Sequence, residues 1–486
     1  MTILVAATGR SVAAHDGAIT LTELRAGRRE PRGSWAPPRT KGPVALAAYP
    51  CGVIDLALLR RDPTAVRAAL ARRGVDPSVV DALVELDAEH RIRLQYAEEL
   101  RAEVKGLSRQ VAAARKAGDT SLAEEMQLKS RSLGYDERRA TAEAETVADE
   151  VRRELLVLPN LPDEQAPDGA SEADNVEVAR WWPGIDDGHD APAYGDHQRV
   201  AHWDIGASLG ILDFERGARL SGSMFPLFTG WGSRLLRALS AYSLDQHVGV
   251  YTEVRPPTLV LTEAMTASGH LPKFVDEAYA VERDGLWAIP TAEVPLTSMH
   301  RGELLDESVL PLRYCATTPC FRREAGAAGK DTRGLLRVHE FDKTELFAYC
   351  TSAQAPGVVA DIRGRGEAVL RAFGLQYRVL DLCVGDLGLQ NARTFDLEVF
   401  APGADRWLEV SSISWYRDYQ ARRANVRYRP TDGGSPLVAH TVNGSVLGWA
   451  RVFAALVETQ RQADGSVVVP EVLVRYVGTD RVATKG

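Results

Sequence analysis

The sequence predicts an α+β protein in two parts: an antiparallel coiled-coil hairpin, then a mainly antiparallel sheet flanked by helices. Three observations predict it. Between about 79 and 157, apolar residues recur at a 3–4 spacing in two runs, broken once by turn residues. A Pro- and acid-rich stretch at 161–175 then marks a boundary. Beyond it, strand-like runs alternate with short helices and lack the long intervening helices of a parallel sheet.

Each element follows from its residues. Residues 1–52, with "RAGRREPRGSWAPPRTKGP" among them, are rich in Gly, Arg and Pro and show no periodicity. A poorly ordered extension is expected there, with a basic arm touching RNA as the other reading. Residues 53–160 form the helical arm. Its first part reads as short helices, and Asp62-Pro63 is a stop-and-restart signal with Asp62 as N-cap. The first long seam runs Ala97, Leu100, Val104, Leu107, Val111; the second runs Met126, Leu133, Ala140, Ala144, Val147, Val151. "KAGDT" at 116–120 joins them. Each helix would be roughly 50 Å long at about 1.5 Å per residue. Gly106 and Gly134 each weaken the pair by about 1 kcal/mol relative to Ala. The seam is narrow and its flanks are charged, which favours a projecting arm over a helix pair packed on the body. Residues 161–175 read as a linker, and 176–486 as the sheet domain. Its strand-like runs include "YTEVRPPTLVL", "YRVLDLCVG", "TFDLEVFA" and "ANVRYR".

Composition narrows the class. The chain is 45% hydrophobic and 26% charged, with a formal net charge of -8, so a nucleic-acid partner would need a local basic surface. No apolar run approaches the roughly 18 residues that span a bilayer, and the N-terminus lacks the order of a secretory signal. Cys51, Cys315, Cys320, Cys350 and Cys383 show neither a CxxC pair nor His ligand spacing. Reduced thiols in a cytoplasmic protein without membrane association are expected.

One stretch carries chemistry. "FRREAGAAGKDTRGLLRVHEF", Phe321 to Phe341, sets five basic residues and a glycine-rich tip between apolar ends. ATP needs cations for its phosphates, a flat apolar surface for adenine and carboxylates for Mg²⁺. A hairpin here would supply them: Arg322 closing the first strand, Gly329–Gly334 as tip, and Arg337 and Phe341 sharing one face of the returning strand. Alone, the stretch equally fits a surface hairpin with solvated charges.

It does not stand alone. "FRREAGAAGKDTRGLLRVHEFDKTEL" resembles motif 2 of the class II aminoacyl-tRNA synthetases, and within them bacterial-type seryl-tRNA synthetase. "VRPPTLV" (254–260) resembles motif 1, whose proline lies in a dimer interface, and "RVFAALVE" (451–458) resembles motif 3. "IPTAEVPLT" (289–297) looks like the family's serine-binding segment; "LEVSSISWYRDYQARRANVRYR" (408–429) and "HTVNGS" (440–445) match further blocks. "IDLALLRRDPTAVRAALARRG", the hairpin and "VLPNLP" resemble its tRNA-binding arm, so the resemblance covers roughly 52 to 480.

The resemblance implies a class II catalytic domain that forms seryl-adenylate from ATP and L-serine with Mg²⁺ and transfers serine to tRNA(Ser), as a homodimer. It implies that Arg322 grips the α-phosphate and the serine carboxylate, and that Glu324 fixes the adenine amino group. It gives Arg337 and Arg451 the γ-phosphate, has Phe341 and Arg451 sandwich adenine, and gives Glu409 and Ser412 the metal. Thr291 and Glu293 would bind the serine ammonium; Glu345 and Thr441 would enclose its hydroxyl. Arg101, Lys105, Arg109, Arg115 and Lys116 would hold the long extra arm of the tRNA through phosphates and shape. From their own pattern, alternating with Glu98, Glu99 and Glu103, these basic residues also fit a solvated face with intrahelical ion pairs.

Two departures lie near the site. Trp415 and Tyr416 follow Ser412-Ile413-Ser414 where the family usually reads Ser-x-Ser-Asn, and Val446 and Trp449 replace smaller residues ahead of the motif 3 arginine. Added bulk in a packed site costs about 1–3 kcal/mol unless neighbours give way. They leave open a paralogue that charges another acceptor or serves a biosynthetic or resistance role. A non-catalytic RNA-binding relative fits less well, since Arg322, Arg337, Glu409 and Arg451 are all present.

Overall fold

The computed structural model describes residues 54–325 and 333–483. The expected extension at 1–52 and the part of the glycine-rich tip at 329–332 lie outside them. The described residues form two compact units that divide between Leu158 and Pro159.

The first unit is all helix. Helix α1 (Leu56–Arg61) ends at Asp62, whose side chain accepts from Ala65 N at 2.9 Å and so begins α2 (Pro63–Ala71) with Pro63 in its first turn. Helix α3 (Pro77–Ala117) and helix α4 (Thr120–Val157) make the hairpin, and Gly118 turns between them at φ 77°. Asp119 caps α4 by accepting from Leu122 N at 3.0 Å. Ala97, Leu100, Leu107 and Ala114 of α3 are buried, as are Ala123, Ala140, Ala144, Val147 and Val151 of α4. The expected seam residues Val104, Val111, Met126 and Leu133 are half-buried. At 41 and 38 residues, the helices run about 60 Å and 57 Å rather than 50 Å.

The second unit is built on an eight-stranded sheet: β1 (Val176–Trp181), β2 (Thr252–Glu253), β3 (Leu312–Phe321), β4 (Glu340–Cys350), β5 (Tyr377–Asp381), β6 (Arg393–Ala401), β7 (Arg406–Arg417) and β8 (His440–Gly448), in the order β1-β5-β6-β7-β8-β4-β3-β2. Every pairing is antiparallel except that of β2 with β3. Helices α5 (His202–Leu209), α6 (Glu293–Ser298), α7 (Ala355–Ala372), α8 (Tyr419–Ala424) and α9 (Trp449–Thr459) surround it. The core joins Ile362, Val369 and Leu370 of α7 to Ile413 and Val442 of the sheet and to Val452, Phe453 and Leu456 of α9.

Two expectations need correction here. Residues 161–175 are not a free linker. Asp163 N donates to Ala392 O at 2.8 Å, Asp163 pairs with Arg417 at 3.0 Å, and Ala166 is buried with Leu382, Val384 and Leu387. The segment thus belongs to the second unit. Strand β4 begins only at Glu340, so Arg337 precedes it and does not share a strand face with Phe341. Among the described residues no helix is long and apolar enough to cross a membrane, and the four described cysteines are buried and free.

Candidate active site

Strand alternation builds one polar face. Phe341, Lys343 and Glu345 follow every second position on β4; Ser412, Ser414 and Tyr416 do so on β7; Thr441, Asn443 and Ser445 on β8. All but Thr441 line a cavity of about 280 Å³, together with Thr291, Glu293, Arg322, Glu324, Arg337, Glu409 and Arg451. Thr441 lies behind, donating its hydroxyl to Gln420 Oε1 at 2.7 Å.

At one end cations gather. Arg322 follows β3, and its guanidinium stands 5.2 Å from the centre of the Phe341 ring. His339 fixes the backbone there: Arg322 N donates to His339 O, and His339 Nδ1 donates back to Arg322 O, both at 2.9 Å. Glu324 holds φ at 49°, in the left-handed region that a glutamate enters only when its surroundings enforce it. Its carboxylate takes Arg337 Nη1 at 3.0 Å. Arg451, in the first turn of α9, donates to Leu336 O at 3.0 Å and to Glu409 O at 2.8 Å. The Glu409 side chain is 48% exposed toward this end. Behind it, Asp396 Oδ1 is buried without a hydrogen-bond partner. Burial first, then the Glu409 charge, pushes the Asp396 carboxyl well above the usual carboxylate range.

At the other end two carboxylates are buried around one lysine. Glu345 accepts from Thr291 Oγ1 at 3.1 Å and is ion-paired to Lys343. Glu293, at the start of α6, accepts from Gln420 Nε2 at 2.7 Å. Burial raises the pKa of both glutamates, and the Lys343 charge opposes it. Fully ionised, the trio carries one net negative charge, which an ammonium would neutralise. Tyr416 donates to Asn443 Oδ1 at 3.0 Å, and Asn443 Nδ2 is buried without a hydrogen bond of its own. Burial, and then the Glu293 and Glu345 charges, hold the Tyr416 phenol far above its usual range. His270 is pushed down to about 3 by burial and by Arg322 and Lys343, so its ring is neutral.

The cavity thus brings together the expected Arg322, Glu324, Arg337, Phe341, Glu409, Ser412, Arg451, Thr291, Glu293 and Glu345. Sequence reasoning missed Lys343, Asn443, Ser445 and Gln420, and named Tyr416 only as a bulky departure near the site. Period-2 alternation from Glu345 pointed to Lys343, and from Ser412 to Tyr416. Of the bulky departures only Tyr416 reaches the cavity. Val446 and Trp449 face the core, where Trp449 Nε1 donates to Thr344 Oγ1 at 3.1 Å, and Trp415 Nε1 donates to His440 Nδ1 at 3.2 Å. On the arm, all five expected basic residues are exposed. Arg101 reaches Glu137 of α4 at 3.0 Å and Arg115 reaches Gln127 at 2.7 Å.

Comparison with known proteins gives a consistent picture. Residues 279–460 match the family model of the tRNA synthetase class II core domain (G, H, P, S and T). Residues 53–162 match that of the seryl-tRNA synthetase N-terminal domain. The serine–tRNA ligase of Nitratidesulfovibrio vulgaris is 44% identical over 430 residues, 88% of this chain and 98% of that protein. That of Kosmotoga olearia is 43% identical over 88% of this chain and 99% of its own. The crystal structure of Pyrococcus horikoshii seryl-tRNA synthetase complexed with ATP superimposes with a TM-score of 0.80 at 33% identity, covering 89% of this chain and 100% of that one. The cytoplasmic serine–tRNA ligase of Naegleria fowleri, solved with AMP, gives 0.77 at 28%, covering 89% and 99%.

Proposed function

This chain belongs to the seryl-tRNA synthetase family and joins serine to tRNA(Ser) while ATP is cleaved to AMP and pyrophosphate, and from that premise we propose which of its residues do the work. One observation carries the assignment: a cation-lined end and a buried pocket of two glutamates around one lysine open into the same cavity. The first suits a triphosphate, the second an ammonium.

Arg322 bridges the α-phosphate and the serine carboxylate and stabilises the charge that builds on phosphorus. The attacking carboxylate is already ionised, so no side chain needs to act as base; catalysis is positioning plus electrostatics. Arg337 takes the γ-phosphate, Glu324 the adenine amino group, and Phe341 with Arg451 the adenine faces. Glu293 and Thr291 receive the ammonium and Glu345 the hydroxyl; Thr441 acts through Gln420 on Glu293 rather than by contact. Mg²⁺ fits the donors present. Glu409 and Ser412 are hard oxygen ligands, and the Asp396 oxygen nearby is buried without a hydrogen-bond partner. Bound there, the ion would neutralise phosphate charge.

The helical unit, which ends at Leu158 within the expected 53–160 arm, serves as the tRNA arm, with Arg101, Lys105, Arg109, Arg115 and Lys116 toward the phosphates. The second unit, continuing to 486, holds the catalytic site. We place the protein in the cytoplasm as a homodimer. An apolar surface pocket lined by Val254, Pro256, Pro257, Leu259 and Met299 supports a second copy docking there. Light scattering at micromolar concentration should give twice the chain mass; a monomer would rule the dimer out. The function is tested by serine-dependent pyrophosphate exchange, then charging of total tRNA. Exchange with another amino acid in preference to serine would overturn it.

A further inference from the structure

The first turn of α5 touches none of the residues assigned to substrate, yet it grips the segment that delivers Arg337. His202 is fully buried. Its Nδ1 stands 2.8 Å from Glu458 Oε1, and its Nε2 stands 2.9 Å from Leu335 N. A carboxylate can only accept and a backbone N–H can only donate. The imidazole is therefore neutral with its proton on Nδ1, donating to Glu458 and accepting from Leu335. Glu458, also fully buried, fixes this tautomer because its remaining capacity is used: Oε1 accepts His202 N at 2.9 Å, and Oε2 accepts Gly403 N at 2.9 Å and Ala404 N at 3.2 Å.

The neighbours of His202 hold the same segment. The Arg333 guanidinium stands 4.9 Å from the Trp203 ring centre and 3.5 Å from Asp204 Oδ1. Gly334, at φ 75°, lies so close that a Cβ there would come within 2.3 Å of His202 Nε2. From the opposite side Arg451 Nε donates to Leu336 O at 3.0 Å. Residues 333–336 are thus clamped between α5 and α9, immediately ahead of Arg337.

We infer that His202, oriented by Glu458, is a positioning residue for ATP: it sets the foot of the 321–341 hairpin so that Arg337 and Glu324 meet at the phosphate and adenine end of the cavity. The inference rests on the function proposed above. Serine's ammonium and hydroxyl are held at the other end of the cavity by residues that His202 does not touch. Its carboxylate is held by Arg322, whose backbone is held by His339 rather than by residues 333–336, so the effect of His202 falls on ATP.

The test is serine-dependent pyrophosphate exchange with the full chain, varying ATP and serine separately. His202→Asn keeps a donor toward Glu458 but loses the acceptor at the Nε2 position. KM for ATP should rise about tenfold, close to the 1.4 kcal/mol that a decade represents, while KM for serine stays within about twofold. His202→Gln, whose amide oxygen reaches toward Leu335 N, should recover most of the loss. Equal changes in both KM values, no change, or Asn and Gln behaving alike would overturn the inference. Should the Asn variant fail to fold, Arg333→Ala loosens the same foot from the surface, its side chain being 73% exposed. A rise of about twofold to fivefold in KM for ATP alone is then expected, and an unchanged value would overturn the inference. Absence of exchange in the unaltered protein would instead overturn the assigned function.

Discussion

Arg322→Ala removes the cation that we propose bridges the α-phosphate and the serine carboxylate. Loss of a single transition-state donor costs about 2.7–4 kcal/mol, so pyrophosphate exchange should fall roughly 100- to 1,000-fold, with the fold unchanged by circular dichroism. Lys343 makes a subtler prediction. Its charge lowers the pKa of Glu293 and Glu345 against the rise that burial imposes. On the proposed assignment serine's ammonium requires Glu293 ionised, so kcat/KM for serine should fall as pH drops through its raised value. Lys343→Met removes the opposing charge, raises both pKa values further and must shift this acid limb to higher pH. A pH profile of kcat/KM for serine decides; an unmoved or downward-shifted limb refutes the role. Most charged residues of the site were legible because they sit in ordered motif blocks; Lys343, a single lysine in a strand, was not. Gln420 was not legible either, since a lone amide becomes informative only when the fold aims it at a buried carboxylate, here Glu293.

Helices were more legible than strands. The seam residues and the Asp62-Pro63 signal each depend on neighbours within a few positions, which a sequence displays directly. Strands β7 and β8 escaped as strands because their cavity face is mainly Ser, Thr and Asn. That composition looks like loop and makes sense only beside a polar cavity. The start of β4 was set too early for a related reason: Leu335, Leu336 and Val338 are apolar and buried, but they serve a clamped loop. The hairpin offers a test at this scale. A Cβ at Gly106 would meet nothing within 4 Å, and one at Gly134 would meet only Arg138 Nη1 at 3.8 Å. Each Gly→Ala replacement should therefore stabilise its helix by about 0.5–1 kcal/mol. Slower amide hydrogen exchange along α3 and α4 would show it; faster exchange in the double variant would mean the helices need those glycines for another purpose.

The two units predict separable activities. Deleting roughly 85 to 150 and closing the gap with a short linker should preserve serine-dependent pyrophosphate exchange. It should remove most tRNA charging through a higher KM for tRNA, and flatten the salt dependence of tRNA binding, because fewer phosphates are neutralised. Undiminished charging would show that the arm does not hold RNA, and loss of both activities in a folded protein would show that the units depend on each other. The strand order has a consequence for synthesis. Strand β8 is the last of the sheet to be made yet sits in its middle, between β7 and β4. The arm, whose partners are close in sequence, can close while the ribosome is still translating. Until residue 448 emerges, however, β1-β5-β6-β7 and β4-β3-β2 are two half-sheets, each with a bare edge. A nascent chain halted before then would carry a finished arm on an unclosed, adhesive body, so premature termination should yield aggregated rather than merely inactive product.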